Sequence, residues 1–283
     1  MRLQGKTVIV TGGGSGFGEG IAKTFAREGA NVVVNDLNVN GPAAERVASE
    51  IALASSPKAA HGRAIAVQGD VTKREDWQKL HDAAIQDFGS VQIVVNNAGT
   101  THRNKPVLEV TEAEFDRVYA VNVKSIYWSV EQFVLYFREQ GGGAFINIAS
   151  TAGVRPRPGL VWYNASKAAV IIASKALAVE LGTDRIRVNC INPVMSETAL
   201  LSEFMGMEDI GYAREPPQVP RDDSARKILD AAGRRQRRAL LRLRRCRVHH
   251  RRRARRGRQT VCLNYRLARH AMGAARVLHR GFP

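Results

Sequence analysis

The sequence predicts an α/β protein built on a doubly wound parallel sheet, with its final helix and strand missing or aberrant. Short β-branched runs alternate with segments whose apolar residues recur at helical spacing. The first run passes through a glycine-rich turn directly into a helical pattern, and the second ends in an acid. Strands and helices in this alternation form a parallel sheet with right-handed crossovers.

The first strand, Lys6 to Thr11, ends in Gly12-Gly-Gly-Ser15-Gly16-Phe17-Gly18, after which Ile21, Ala22, Phe25 and Ala26 repeat at helical spacing. Glycines let the backbone turn sharply and approach a ligand, and the free amides at a helix start attract a pyrophosphate. The second strand, Val32 to Asp36, ends in an acid 18 residues after Gly18. A carboxylate there accepts hydrogen bonds from both ribose hydroxyls and repels a 2′-phosphate, so NAD is favoured over NADP. A helix over 42–53 and a loop at Ser55 lead to the strand Arg63 to Gln68, with Asp70 and Val71 placed to meet an adenine.

Helical spacing through Trp77, Leu80, Ala84 and Ile85 marks residues 73–88, followed by a buried strand that ends in Asn96-Asn97-Ala98-Gly99. Residues 111–140 read as one long, mostly helical stretch with Asn122 among its apolar positions, closed by Gly141-Gly-Gly. The strand Ala144 to Ala149 delivers Ser150, and a helix carrying Tyr163 and Lys167 leads to the strand Ile186 to Ile191. Positions four apart share a helix face, so the Tyr163 phenol and Lys167 ammonium stand side by side. A nearby cation favours the phenolate and brings the tyrosine toward use as a proton donor and acceptor near neutral pH.

Length and composition fit a globular protein: 283 residues, 44% hydrophobic, with no apolar run long enough to span a bilayer. The start of the chain lacks the apolar stretch of a secretory signal, and three cysteines without paired spacing suit a reducing, cytoplasmic location. The net charge of +17 is a property of one end. Residues 1–209 carry 21 Lys and Arg against 22 Asp and Glu, whereas residues 210–283 carry 22 against 4.

With Thr11-Gly12-x-x-x-Gly16-x-Gly18, Asn96-Asn-Ala-Gly99, Asn122, Ser150 and Tyr163-x-x-x-Lys167 in order, the chain resembles a short-chain dehydrogenase/reductase over about residues 3–209. The resemblance implies a single Rossmann domain that binds a nicotinamide cofactor and interconverts an alcohol and a ketone. It assigns Tyr163 as general acid/base and Ser150 as the holder of the substrate oxygen. Lys167 would lower the tyrosine pKa and bond the nicotinamide ribose, and Asn122 would position a water in a proton relay. It also places Thr198 against the carboxamide and makes Leu200 to Met207 a substrate lid. The departure at Val194, where the family has glycine after Pro193, puts a side chain near the nicotinamide edge. The expected partner is a small alcohol or carbonyl substrate, with neither a specific nucleic acid nor a membrane. Members of the family form homo-oligomers, an expectation that the tail of this chain weakens.

Residues 210–283 break the pattern. In place of a last helix and an apolar strand stands a run beginning Arg234-Arg-Gln-Arg-Arg. An arm that binds polyanions without sequence preference is one reading, with the rest of the chain as its scaffold. A metal site at Cys246, His249, His250 and Cys262 is another, but the spacing matches no zinc pattern and the surrounding cations oppose a dication, so no metal is expected. The third reading is translation out of frame. Shifting each codon by one nucleotide lets Arg247 to Arg252 encode Glu-Phe-Ile-Thr-Gly-Val, and Asp222 to Asp230 and Leu229 to Leu243 likewise yield peptides like the end of the family. A one-nucleotide frame error between about residues 209 and 220 is the preferred explanation. The expected organisation is a catalytic domain over 1–209 and an arginine-rich, disordered tail over 210–283 with too little apolar surface to offset ordering.

Overall fold

The computed structural model describes residues 1–37, 42–54, 62–194 and 203, together with the backbone of 262–265. Its elements are β1 (Thr7–Thr11), α1 (Gly16–Arg27), β2 (Asn31–Asp36), α2 (Ala43–Ala54), β3 (Ala64–Gln68), α3 (Arg74–Phe88), β4 (Ile93–Asn96), α4 (Glu112–Tyr119), α5 (Ser125–Glu139), β5 (Gly143–Ile148), α6 (Val161–Glu180), β6 (Ile186–Pro193) and β7 (Cys262–Tyr265).

The strands form one parallel sheet in the order β3-β2-β1-β4-β5-β6-β7. Alternate residues face opposite layers, as the two-residue period of a strand requires. Val8, Val10, Val32, Val34, Val95 and Ile146 pack with Ala22 and Phe25 of α1 and Val47 and Ile51 of α2. Ile9, Val33, Val94, Phe145 and Val188 pack on the other side with Trp77 and Leu80 of α3 and Phe133 and Phe137 of α5. Near-continuous apolar strands are what a sheet covered on both faces demands.

The direction in which successive strands are added reverses between β1 and β4, although the strands themselves stay parallel. Ligands of open α/β sheets sit at the carboxyl ends of strands at such a switch. Thr11 and Asn97 join the two strand ends there. The Thr11 hydroxyl accepts from the amides of Asn97 and Ala98 at 3.0 and 3.1 Å, and the Asn97 side chain donates to the carbonyls of Thr11 and Gly12 at 2.8 and 3.0 Å.

The stretch 111–140 is mostly helical as expected, with one irregularity: α4, opened by a Thr111–Glu114 capping box, passes through a π-helical turn at Ala120–Lys124 before α5. Apolar periodicity survives one wide turn, so the sequence pattern does not reveal it. The tail, expected to have its final strand missing or aberrant, contributes β7, which pairs with β6 in parallel register, Cys190 opposite Cys262 and Pro193 opposite Tyr265. Backbone amides and carbonyls of Cys262–Tyr265 make this pairing, which does not require an apolar sequence. The expected final helix, the clustered arginines and the remainder of the tail lie outside the described residues. No described helix is long and apolar enough to cross a membrane.

Candidate active site

A cavity of about 760 Å³ runs along the carboxyl ends of the strands, from Asp36 and Asp70 past the glycine turn to Ser150, Tyr163 and Lys167. Of the expected site residues it is lined by Gly12, Ser15, Gly16, Phe17, Asp36, Asp70, Val71, Asn97, Ala98, Gly99, Ser150, Tyr163 and Lys167. Gly18 and Asn122 stand behind this wall, and Thr198 lies outside the described residues, as does the expected lid apart from Glu203. The Glu203 carbonyl accepts from the Asn104 amide at 2.9 Å.

The glycine turn lines the cavity with bare backbone, and its own close packing excludes side chains. A Cβ on Gly18 would lie 2.0 Å from the Gly12 carbonyl oxygen, and one on Gly14 would lie 2.8 Å from Asp36 Oδ2. Asp36 Oδ2 accepts from the Gly14 amide at 2.9 Å, holding the carboxylate beside the turn. Arg46 donates to the Gly14 carbonyl at 2.8 Å and pairs with Glu19 and Glu50, tying the turn to α1 and α2. At the far end Asp70 Oδ1 accepts from the amide and hydroxyl of Thr72, which fixes the loop after β3.

At the other end, Ser150 leaves β5 in an extended conformation and its hydroxyl accepts from the Ala152 amide at 3.1 Å. The Ser150 hydroxyl also lies close enough to the Tyr163 phenol to act on its ionisation, so strand and helix do deliver these two groups to one place. Burial pushes the Tyr163 phenol above its ordinary pKa, opposed by the Ser150 hydroxyl and the Arg157 cation. Lys167, the cation expected to lower this phenol, is not among these causes. Lys167 Nζ stands 5.9 Å from the Tyr163 ring centroid and donates to the Ile148 carbonyl at 3.0 Å. Complete desolvation lowers its own pKa to about 8. A buried ammonium and a buried phenol are both penalised when charged.

Asn122 sits on the π-helical turn with both ends of its carboxamide engaged. Its oxygen accepts from the Thr100 amide at 2.8 Å, while its nitrogen donates to the Thr100 carbonyl and the Ser166 hydroxyl, each at 2.9 Å. The side chain thus fastens the loop after Gly99 to α6. A wide turn at a site residue is a common use of this irregularity, since it re-aims one side chain without ending the helix.

Three features were not anticipated. Asn96 donates to Asn147 at 2.8 Å, Asn147 to Ser174 at 2.9 Å, and Ser174 to the Val170 carbonyl at 2.7 Å, a buried polar ladder locking β4, β5 and α6 together. Arg46 acts through the glycine turn. Arg157, in the loop before α6, lines the cavity beside Tyr163. The Asn96–Asn147–Ser174 and Arg46–Gly14 partners are distant in sequence, and no local motif advertises those pairings.

The short chain dehydrogenase family model matches residues 6–209. The chain is 51% identical over 215 residues to 4-formylbenzenesulfonate dehydrogenase TsaC1/TsaC2 of Comamonas testosteroni, covering 76% of this chain and 82% of that protein. It is 33% identical over 204 residues to the 3-oxoacyl-[acyl-carrier-protein] reductase FabG of Thermotoga maritima, covering 72% and 79%. Among solved structures, 3-ketoacyl-(acyl-carrier-protein) reductase from Brucella melitensis complexed with NADH superimposes with a TM-score of 0.66 at 44% identity, covering 72% of this chain and 80% of that one.

Proposed function

The chain belongs to the short-chain dehydrogenase family of oxidoreductases, and from that premise we propose that it is an NAD-dependent enzyme that interconverts an alcohol and a carbonyl compound, with Tyr163 as general acid/base. The observation that carries this reading is the convergence of Ser150, Tyr163 and Lys167 at one end of a cavity whose other end is a glycine turn held against Asp36. The NADH in the Brucella reductase and the acid at the end of β2 both support NAD. The sulfonated aromatic aldehyde in the name of the Comamonas relative makes small aromatic alcohols and aldehydes the first substrates to try.

A dinucleotide would lie along Gly12 to Gly18 with its ribose at Asp36 and its adenine between Asp70 and Val71. Held there, a nicotinamide would supply the acceptor for the hydride that leaves the carbinol carbon. Tyr163 takes the hydroxyl proton and passes it toward solvent, so one alcohol and NAD⁺ give one carbonyl, NADH and one proton. Ser150 hydrogen-bonds the substrate oxygen and orients it toward Tyr163. Lys167, beside Gly99 and Asn122, is within the region where it would bond a ribose hydroxyl. Asn122 keeps the Thr100 loop and α6 in mutual position. Residues 1–209 are the catalytic domain in this reading, and residues 210–283 owe their composition to a frame error.

The experiment is NADH formation from benzylic alcohols with wild type and Tyr163→Phe, alongside NADH binding by fluorescence. Loss of about 10²–10⁴-fold in kcat with binding retained is expected. A Tyr163→Phe protein as active as wild type would overturn the assignment, and tighter binding of NADPH than NADH would overturn the choice of cofactor.

A further inference from the structure

The cavity is electrically divided. The acids that line it among the described residues are Asp36, at the end of β2, and Asp70, after β3. Sheet order places them three and four strands from Ser150 at the end of β5, roughly 14–19 Å at about 4.8 Å per strand. A dinucleotide would cover that acidic end. Toward Ser150 and Tyr163 the charged lining residues are Lys167, Arg157 and Arg117. Lys167 is sunk into the wall and directed at the Ile148 carbonyl, leaving the two arginines as the cations on the substrate side.

Arg157 is built in at the level of its backbone. Its carbonyl accepts from the Asn164 side chain at 2.8 Å, the next carbonyl, Pro158, from the Asn104 side chain at 3.2 Å, and the Gly159 carbonyl from the Lys105 amide at 3.1 Å. Gly159 has φ +74° and packs so closely that a Cβ would lie 1.9 Å from Asn104 Oδ1. Arg117 projects from α4, and one guanidinium nitrogen donates to the Thr101 carbonyl at 3.2 Å, bringing it to the loop that follows Gly99. Ala152 and the fully buried Leu160 supply apolar wall between the arginine loop and Tyr163. A cation carried on a held backbone in a cavity with apolar wall is suited to a flat apolar body carrying a fixed negative charge.

We propose that Arg157, supported by Arg117, recognises an anionic oxyacid group, sulfonate or carboxylate, carried by the substrate on the side away from its reacting carbon. The proposal rests on the oxidoreductase reading above for the placement of the reacting carbon at Ser150 and Tyr163. It makes Arg157 a specificity-determining residue.

The test compares NADH formation by the full 283-residue chain from benzyl alcohol, 4-(hydroxymethyl)benzoate and 4-(hydroxymethyl)benzenesulfonate, with wild type, Arg157→Gln, Arg157→Lys and Arg117→Gln. Expected is a kcat/KM for the anionic alcohols at least about tenfold above that for benzyl alcohol, expressed through KM. Arg157→Gln should collapse that ratio, Arg157→Lys should retain most of it, and Arg117→Gln should reduce it in part. Because Arg157 also acts on the Tyr163 phenol, its loss can lower turnover of all three alcohols together; an effect of that kind alone leaves the ratio unchanged and overturns the proposal. A second measurement, calorimetric binding of benzenesulfonate with and without NADH, separates the two readings. If no alcohol yields NADH the oxidoreductase reading fails, yet benzenesulfonate binding weakened about tenfold or more by Arg157→Gln still upholds the anion site, and equal binding by the two proteins refutes it.

Discussion

Replacing Gly18 by alanine tests whether the glycine turn is shaped by close approach rather than by composition. An added Cβ would lie 2.0 Å from the Gly12 carbonyl oxygen and 2.5 Å from Asn97 Nδ2. The turn must retreat by about 1 Å to bring the nearer contact even to the 3.0 Å that real Cβ atoms observe. The displaced groups include the Asn97 side chain, which bonds the carbonyls of Thr11 and Gly12 at the switch between β1 and β4. Overpacking of this kind costs about 1–3 kcal/mol, and each hydrogen bond lost adds about 1 kcal/mol. A destabilisation of about 2–5 kcal/mol lowers the Tm of a domain this size by roughly 5–15 °C. NADH affinity should fall at least about tenfold, because the same backbone forms the cofactor cradle. Gly20, two residues on in α1, is the control: a Cβ there meets nothing within 4 Å. Gly20→Ala should gain about 1 kcal/mol from helix propensity and raise Tm by about 2–4 °C with NADH binding unchanged. Differential scanning calorimetry and NADH fluorescence on both variants decide the matter. Equal behaviour of the two, or a Gly18→Ala protein with wild-type Tm and affinity, would refute the reasoning.

Burial lowers Lys167 from 10.5 to about 8, so between those pH values the unfolded chain binds more protons than the native one and stability rises with pH. Lys167→Met should lose that rise, worth about 3 kcal/mol, in denaturant unfolding at pH 8 and pH 10.5. The comparison is cleanest in a Tyr163→Phe background, since a phenol held up by burial works in the opposite sense above pH 10. A parallel pH dependence with and without the lysine would contradict its buried charge. For the tail, a version of the chain restored to the shifted frame after about residue 215 should melt higher than the 283-residue chain and form NADH at least as fast. Equal melting and equal rates, or an uninterrupted reading frame in genomic DNA and message, would argue against a frame error.

The repeating elements were legible because their causes are local. Residues 7–11, 32–34 and 144–146 are β-branched or apolar at every position, as strands covered on both faces must be. The glycine turn and the four-residue spacing of Tyr163 and Lys167 were readable for the same reason. Asn122 was found by its place in a motif, while the π-helical turn that carries it was not, since one wide turn leaves the apolar face intact. The Asn96–Asn147–Ser174 ladder joins positions from three separate elements, and β7 pairs with β6 across some seventy intervening residues.

The sequence by itself determined the order of strands and helices, the glycine cradle, and which side chains share a helix face, because these follow from neighbours along the chain. Tertiary structure decided the electrostatics. The sign of the Tyr163 shift, the depression of Lys167 and the presence of Arg157 beside the phenol depend on how much water is excluded and which distant charge faces the group. Spacing can bring a tyrosine and a lysine together, but only the packed interior sets what their proximity is worth.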